Sequence, residues 1–235
     1  MASHLSLPDA MPAFALRFVG QEALPPRLSE FDLEQFFTLL SDDVVAIRAQ
    51  FRSDHRLPAA LMLLFMRVAG RPLDGFNVLP RNLLRKTAEA LAVSPPSIAS
   101  LRSIYTRRQT LSKHQLWAKT YLGLRELEPD DEAALTATLL AQAADASHSD
   151  DLVRSACQWL FTRRILIPGA RRLQDWARGA FAAVEVQILS EVNAAVPPAA
   201  ATKVIDSAYS ARPGGDDTHL EWLKTPSKRH GPSTL

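Results

Sequence analysis

Residues 57–66, Leu-Pro-Ala-Ala-Leu-Met-Leu-Leu-Phe-Met, form an unbroken apolar run closed by Arg67. A membrane span needs about 20 such residues, so ten fall well short and no membrane partner is expected. A helix that is apolar on every side must instead be wrapped by other elements of the same protein. The stretch "LPAALMLLFMRVAG" therefore reads as a buried helix ending at Gly70, a residue suited to the left-handed position after a helix. Its surroundings read as helical too. Leu, Ala and Arg dominate, β-branched runs are few, and the 9 glycines include no Gly-rich phosphate loop. The fold class expected is all-α, in two small helical domains with helix-turn-helix-like units.

A length of 235 residues suits one large domain or two small ones. Four prolines within residues 1–28 predict a loose arm over 1–27. Ser29 and Ser41 each stand where a helix cap is wanted, the latter followed by Asp42 and Asp43. Pro80 opens a further helix, another runs from Pro95 to about Arg107, and a third spans 111–122 before Gly123. These complete a first domain, residues 28–124. The connector "RELEPDDEA" leads to a second, residues 127–196, with helices at about 132–145, 150–164 and 170–194. Pro197 and Pro198 end the last of these, and 197–235 reads as linker and tail with one short helix. The N-terminus lacks the pattern of a secretory signal. A single cysteine, Cys157, excludes an internal disulfide and fits a reducing cytoplasm.

The net charge of +2 conceals strong zoning. Residues 1–47 carry a net −5, residues 48–119 a net +10, residues 120–162 a net −6 and residues 163–235 a net +3. Clustered Lys and Arg are what a polyanion selects, because each neutralised phosphate releases counterions. A solvated basic surface without a partner gives the same zoning.

Within the +10 zone, "KTAEALAVSPPSIASLRSIYTRR" (residues 86–108) reads as two short amphipathic runs hinged on Val-Ser-Pro-Pro. Ala88 is small, as a close helix crossing requires, and Ile98, Leu101 and Tyr105 share one face. Ser100, Ser103 and Arg107 fall opposite, on the face that a helix-turn-helix protein presents to the major groove. Ala92 occupies the turn position where glycine relieves strain. An ordinary pair of bundle helices carries the same pattern. The second basic zone repeats the grammar in "DLVRSACQWLFTRRILIPGARRLQDWARGAF". Arg163, Arg164, Arg171 and Arg172 surround one helix start, where an anion would relieve their repulsion. Arg171 and Arg178 share a face with Asp175 between them, which also fits a surface ion-pair ladder. The acidic stretch Glu126–Glu132 is expected to loop away from phosphates.

Enzyme chemistry has no footing in these residues. The histidines at 4, 55, 114, 148, 219 and 230 never reach metal-ligand spacing with one another or with Cys157. Acid clusters at Asp42–Asp43 and Asp130–Glu132 lie at helix starts, where capping accounts for them. No catalytic residue, metal or cofactor is expected.

The runs "FTLLSDDVVAIRAQFRSDHRLPAALMLLFMRVAGRPL", "YTRRQTLSKHQLWAKTYLGLREL" and "RRILIPGARRLQDWAR", with the final "HLEWLKTPSKRHGPSTL", resemble the N-terminal region of the replicative transposases of the Tn-three family. The resemblance covers about residues 28–235 in order. It implies helical domains that bind double-stranded DNA at the terminal inverted repeats of the transposon. It also implies that the catalytic RNase-H-like domain is encoded further downstream. Pro58 departs from the family's usual glycine after the leucine. Arg52, His55 and Arg56 match the family's basic-polar run, and Arg107, Arg108, Thr110 and His114 match its Arg-x-x-Thr-x-x-x-His-like segment. Arg107, Arg108 and Lys113 are then expected on phosphates, with Ser100 and Ser103 nearest base edges. His114 is either a phosphate donor or a buried, hydrogen-bonded core residue. Trp117 and Tyr121 are expected in the core. The place implied is the bacterial cytoplasm, in association with the nucleoid, and the partners are transposon ends and the full-length transposase or a second copy. Two other readings stay open: a freestanding truncated regulator of transposition, and a helical protein-interaction scaffold without DNA.

Overall fold

The structure, a computed structural model, describes residues 13–213 and 217–224. After a short 3-10 turn at Ala13–Leu16 come α1 (Glu30–Phe36), α2 (Ser41–Gln50), α3 (Ser53–Ala69), α4 (Arg81–Leu91), α5 (Ile98–Ile104) and α6 (Arg108–Leu122). Then follow α7 (Pro129–Ala143), α8 (Ser149–Thr162), α9 (Ala170–Ala195), α10 (Pro198–Tyr209) and α11 (His219–Lys224). Among the described residues there is no strand, only two isolated β-bridges. The fold is all-α, as expected. No single helix among the described residues is long and apolar enough to cross a membrane.

Helix α3 is the axis of the core, and every residue from Leu57 to Met66 is buried. It packs against α2, α4 and α6, which supply the wrapping that an all-round apolar helix demands. It starts at Ser53, four residues earlier than the apolar run, and carries Pro58 inside it. The ring leaves the Asp54 carbonyl without its usual intrahelical donor. Gly70 ends the helix at φ 71° and donates to the Met66 carbonyl at 3.0 Å.

Caps define the first two helices. Ser29 Oγ accepts from the Asp32 amide at 3.1 Å, and the Asp32 carboxylate accepts from the Ser29 amide at 3.1 Å. Arg17 Nη1 donates to the same carboxylate at 2.7 Å. Helix α2 differs from the expectation for Ser41, which is its first helical residue. Its start is closed by the Asp43 carboxylate, which accepts from the Leu40 amide at 2.7 Å. Buried Asp43 also accepts from Arg67 Nη2 at 2.6 Å and from the Tyr121 hydroxyl at 3.0 Å, so both of its oxygens are engaged.

Two expectations about chain segments are corrected here. The arm is anchored from Phe18 onward: Phe18 and Leu24 are buried in the core, because large apolar groups dock without helical periodicity. Residues 1–12 of the arm lie outside the described residues, as do tail residues 225–235, His4 and His230. The acidic connector does not loop away. The Arg125 amide donates to the Arg164 carbonyl and the Leu166 amide to the Arg125 carbonyl, each at 2.9 Å. Three of its five acids are paired with cations: Glu126 with Lys119, Asp131 with Arg125, and Glu132 with Arg172.

The chain groups into one unit up to Phe181 and a second from Ala182. In the first, α7 packs on α8, and the Ile167 amide donates to the Gly70 carbonyl at 2.9 Å. In the second, α10 packs on α11, and the Arg212 guanidinium lies 4.5 Å from the Trp222 ring centre.

Candidate nucleic-acid interface

Helix α4 stops at Ala92, which adopts the left-handed conformation at φ 53° and ψ 47°. The Ala92 amide reaches the Glu89 carbonyl and the Val93 amide the Ala88 carbonyl, both at 3.0 Å. This double bond pattern closes a helix end and reverses the chain. Residues 93–96 then cross to Ser97, whose Oγ accepts from the Ser100 amide at 3.1 Å and starts α5. Helix α5 is shorter than the expected run from Pro95 to Arg107, because the serine cap lies beyond both prolines and Tyr105 closes the far end. Ala88, Leu91, Leu101 and Tyr105 are buried and Ile98 packs against them, so the apolar face reads as the spacing required. Tyr105 stacks on Phe76 with ring centres 4.9 Å apart. Arg102 is held down by the carbonyls of Phe76 (2.8 Å) and Asn77 (2.6 Å).

Ser100 and Ser103 lie on the exposed side of α5. Their hydroxyls are occupied locally. Ser100 Oγ lies 2.8 Å from Ser97 Oγ, and Ser103 Oγ donates to the Ser100 carbonyl at 2.7 Å.

Helix α6 contains no Asp or Glu in fifteen residues. Arg107 takes its N-cap position and Arg108 its first helical position, where cations oppose the helix dipole. Arg107, Arg108 and Lys113 are exposed, and none of their side chains has a hydrogen-bond or ion-pair partner among the described residues. The 52–56 run is brought beside this helix: the His55 ring centre lies 5.3 Å from that of His114. Arg52 is exposed at the start of α3, whereas Arg56 Nε donates to the Phe51 carbonyl at 3.1 Å.

His114 is a core residue. The Tyr105 hydroxyl donates to the Pro58 carbonyl at 3.0 Å and lies 3.0 Å from His114 Nδ1. With its proton on the Pro58 carbonyl, the phenol oxygen accepts from a neutral imidazole. Burial, aided by the neighbouring charges of His55 and Lys113, pushes the His114 pKa down to about 4. Burial also raises the Tyr105 phenol. Trp117 packs edge-on against Phe51 at 5.0 Å. Tyr121 stacks on Trp117 at 5.4 Å, its ring part exposed.

The second basic zone is more heavily engaged with the protein itself. Arg163 lies 4.0 Å over the Trp159 ring, and Arg164 Nη1 donates to the Leu122 carbonyl at 3.2 Å. Arg172 pairs with Glu132 at 2.8 Å and Arg178 with Asp175. Arg171 is exposed and has no such partner among the described residues. Cys157 is buried, and burial pushes its thiol up to about 11, which makes it packing rather than a nucleophile. No group of three His, Cys, Asp or Glu side chains among the described residues is placed to hold a metal ion.

Sequence reasoning passed over part of α6. Gln109, Ser112 and Leu116 are exposed beside Lys113, in helical register with it. The signal was present as fifteen acid-free residues with a polar stripe at spacings of three and four.

Residues 21–180 match the model of a family described as Domain of unknown function (DUF4158). The chain is 33% identical over 213 residues to the transposase for insertion sequence element IS1071 in transposon Tn5271 of Comamonas testosteroni, covering 91% of this chain and 22% of that protein. It is 24% identical over 219 residues to the transposase for transposon Tn1546 of Enterococcus faecium, covering 88% of this chain and 21% of that protein. The chain spans about a fifth of the length of these relatives.

Proposed function

The chain belongs to the DUF4158 family and is related to transposases; from that premise we propose that it binds duplex DNA at the terminal inverted repeats of a Tn-three-family transposon, as the N-terminal end-recognition part of the transposase. The observation that carries this reading is the set Arg107, Arg108 and Lys113, exposed around an acid-free helix and without an anionic partner among the described residues. Two guanidinium groups at a helix N-terminus are unfavourable in isolation and become favourable once a phosphate stands between them and the amide ends. His55 of α3 stands next to this helix, its ring against that of His114 and its Nε2 3.7 Å from the Asp54 carboxylate, and Arg52 is exposed at the start of α3. Residues 28–124 supply these contacts, and residues 127–196 add phosphate contacts through Arg171. Arg163, Arg164, Arg172 and Arg178 join it on phosphates by giving up part of the protein contacts they make in the unbound chain. The role assigned is binding, with no bond-breaking step given to these residues.

Mobility shift with a duplex bearing a terminal inverted repeat, against a scrambled duplex of equal length, tests this. Binding should prefer the repeat and weaken steeply between 50 and 200 mM salt, with a log–log slope of about 0.9 per phosphate contact. The Arg107→Ala, Arg108→Ala double change should weaken both duplexes and flatten the slope by about two contacts. Equal binding to both duplexes with a flat salt response would sink the reading.

A further inference from the structure

We infer that α6, through Gln109 with Leu116 two turns further on, reads base edges in the major groove, whereas α5 supports it without reading sequence. The inference rests on the DNA-binding reading above and adds which helix carries sequence preference.

Helix α5 is seven residues long and its polar groups are committed. Arg102 is pinned on two carbonyls, and the hydroxyls of Ser100 and Ser103 bond within their own turns, as does that of Thr106 just past the helix end, whose Oγ1 donates to the Ser103 carbonyl at 2.6 Å. A recognition helix needs groups that are unoccupied in the unbound protein, since a base edge must replace water rather than an existing bond. Helix α6 has them. Gln109, Ser112, Lys113 and Leu116 recur at spacings of three and four along one face, opposite buried His114 and Ala118, and no side-chain hydrogen bond engages Gln109, Ser112 or Lys113 among the described residues. Only Thr120, a turn beyond Leu116, is bonded within its own helix, to the Leu116 carbonyl at 2.9 Å. The Gln109 amide has no hydrogen bond among the described residues, in contrast to Gln115 on the inner side, which donates to the Leu73 carbonyl at 2.9 Å.

Charge complementarity selects the occupant. The face has no carboxylate on its own helix and is bordered by Arg108 and Lys113, so the surface that fits it is a polyanion with donor and acceptor edges between its phosphates. A free glutamine amide matches the N6 and N7 edge of adenine in both directions. Leu116 is 62% exposed in the middle of this polar face, and an apolar side chain there fits the methyl group of thymine. Seven helical residues advance about 10.5 Å, or about three base-pair steps at 3.4 Å. The two readers therefore address A·T pairs roughly three steps apart. Arg108 and Lys113 hold the register on the backbone.

The intact chain is tested by selecting binders from a pool of duplexes with a randomised core, for the native protein and for Gln109→Ala, Leu116→Ala and the Ser100→Ala, Ser103→Ala pair. Circular dichroism and Tm check that each variant folds; Gln109 and Leu116 are exposed, so folding should be kept. The expected result is that Gln109→Ala loses about tenfold discrimination at one A·T position, Leu116→Ala relaxes a thymine preference about three positions away, and the serine pair leaves the selected sequence intact. If the native protein selects a sequence and Gln109→Ala selects the same one with equal stringency, α6 is not the reader, while the DNA-binding reading survives. If the serine pair shifts the selected sequence, α5 is the reader instead. If the native protein enriches no sequence at all, both the inference and the end-recognition reading fall.

Discussion

His114 shows how one buried side chain links acidity to stability. In the folded chain its pKa is pushed down to about 4, against 6.5 for the exposed side chain. Below about pH 6.5 the unfolded chain takes up a proton that the native state refuses, so stability falls as pH drops from there towards 4. The loss reaches about 3 kcal/mol at the bottom of that window. Chemical denaturation at a series of pH values checks it. A His114→Asn variant, unable to bind that proton, should show a shallower decline than the native protein, and parallel curves would exonerate His114. At this scale the sequence was half legible. The spacing of Ala88, Leu101 and Tyr105 announced their burial, because helical period alone decides which residues share a face. The alternatives for His114 could be separated only by Tyr105 and Pro58, nine and fifty-six positions away in the chain, coming together around it.

At the scale of elements, the end of α3 is the junction on which the first unit is assembled. Gly70 stands at φ +71°, and a Cβ added there would lie 2.8 Å from Phe161 and 2.9 Å from Ile167. Gly70→Ala should therefore combine left-handed strain with overpacking, at a cost of about 2–4 kcal/mol. Gly75→Ala, which meets nothing within 4 Å, should stay within about 0.5 kcal/mol of the native protein. Equal Tm values for the two variants would remove Gly70 from this role. The glycine was recognisable as a helix end from the apolar run before it. That it also receives side chains and a backbone bond from residues near 165 was invisible, since those partners are almost a hundred residues away. Helix starts were read less well than helix faces. Ser41 looked like a cap, but a carboxylate at the third helical position can close the same end, and local sequence offers both solutions.

For the whole molecule, the junction between residues 124 and 127 joins rather than separates. The backbone pair between Arg125 and residues 164–166, the Ile167 amide on the Gly70 carbonyl, and the ion pairs of Glu126, Asp131 and Glu132 all cross or occupy it. Residues 28–124 and 127–181 should consequently unfold in one cooperative transition. Calorimetry of the intact chain checks this, and two well-separated transitions within that region would show the connector to be a passive hinge. The sequence by itself determined the helical class, the identity of the central buried helix and the zoning of charge. Each of these depends on local period or on a sum over neighbours along the chain. Only the tertiary structure decided which cations remain without a partner among the described residues, that Arg172 reaches Glu132 of the acidic connector, and that Arg102 of α5 is pinned on Phe76 and Asn77 while Gln109 of α6 is not held. Arg102 is committed by residues 25 and 26 positions away and Glu132 by one 40 positions away, and pairing at such separations leaves no periodic trace in the chain.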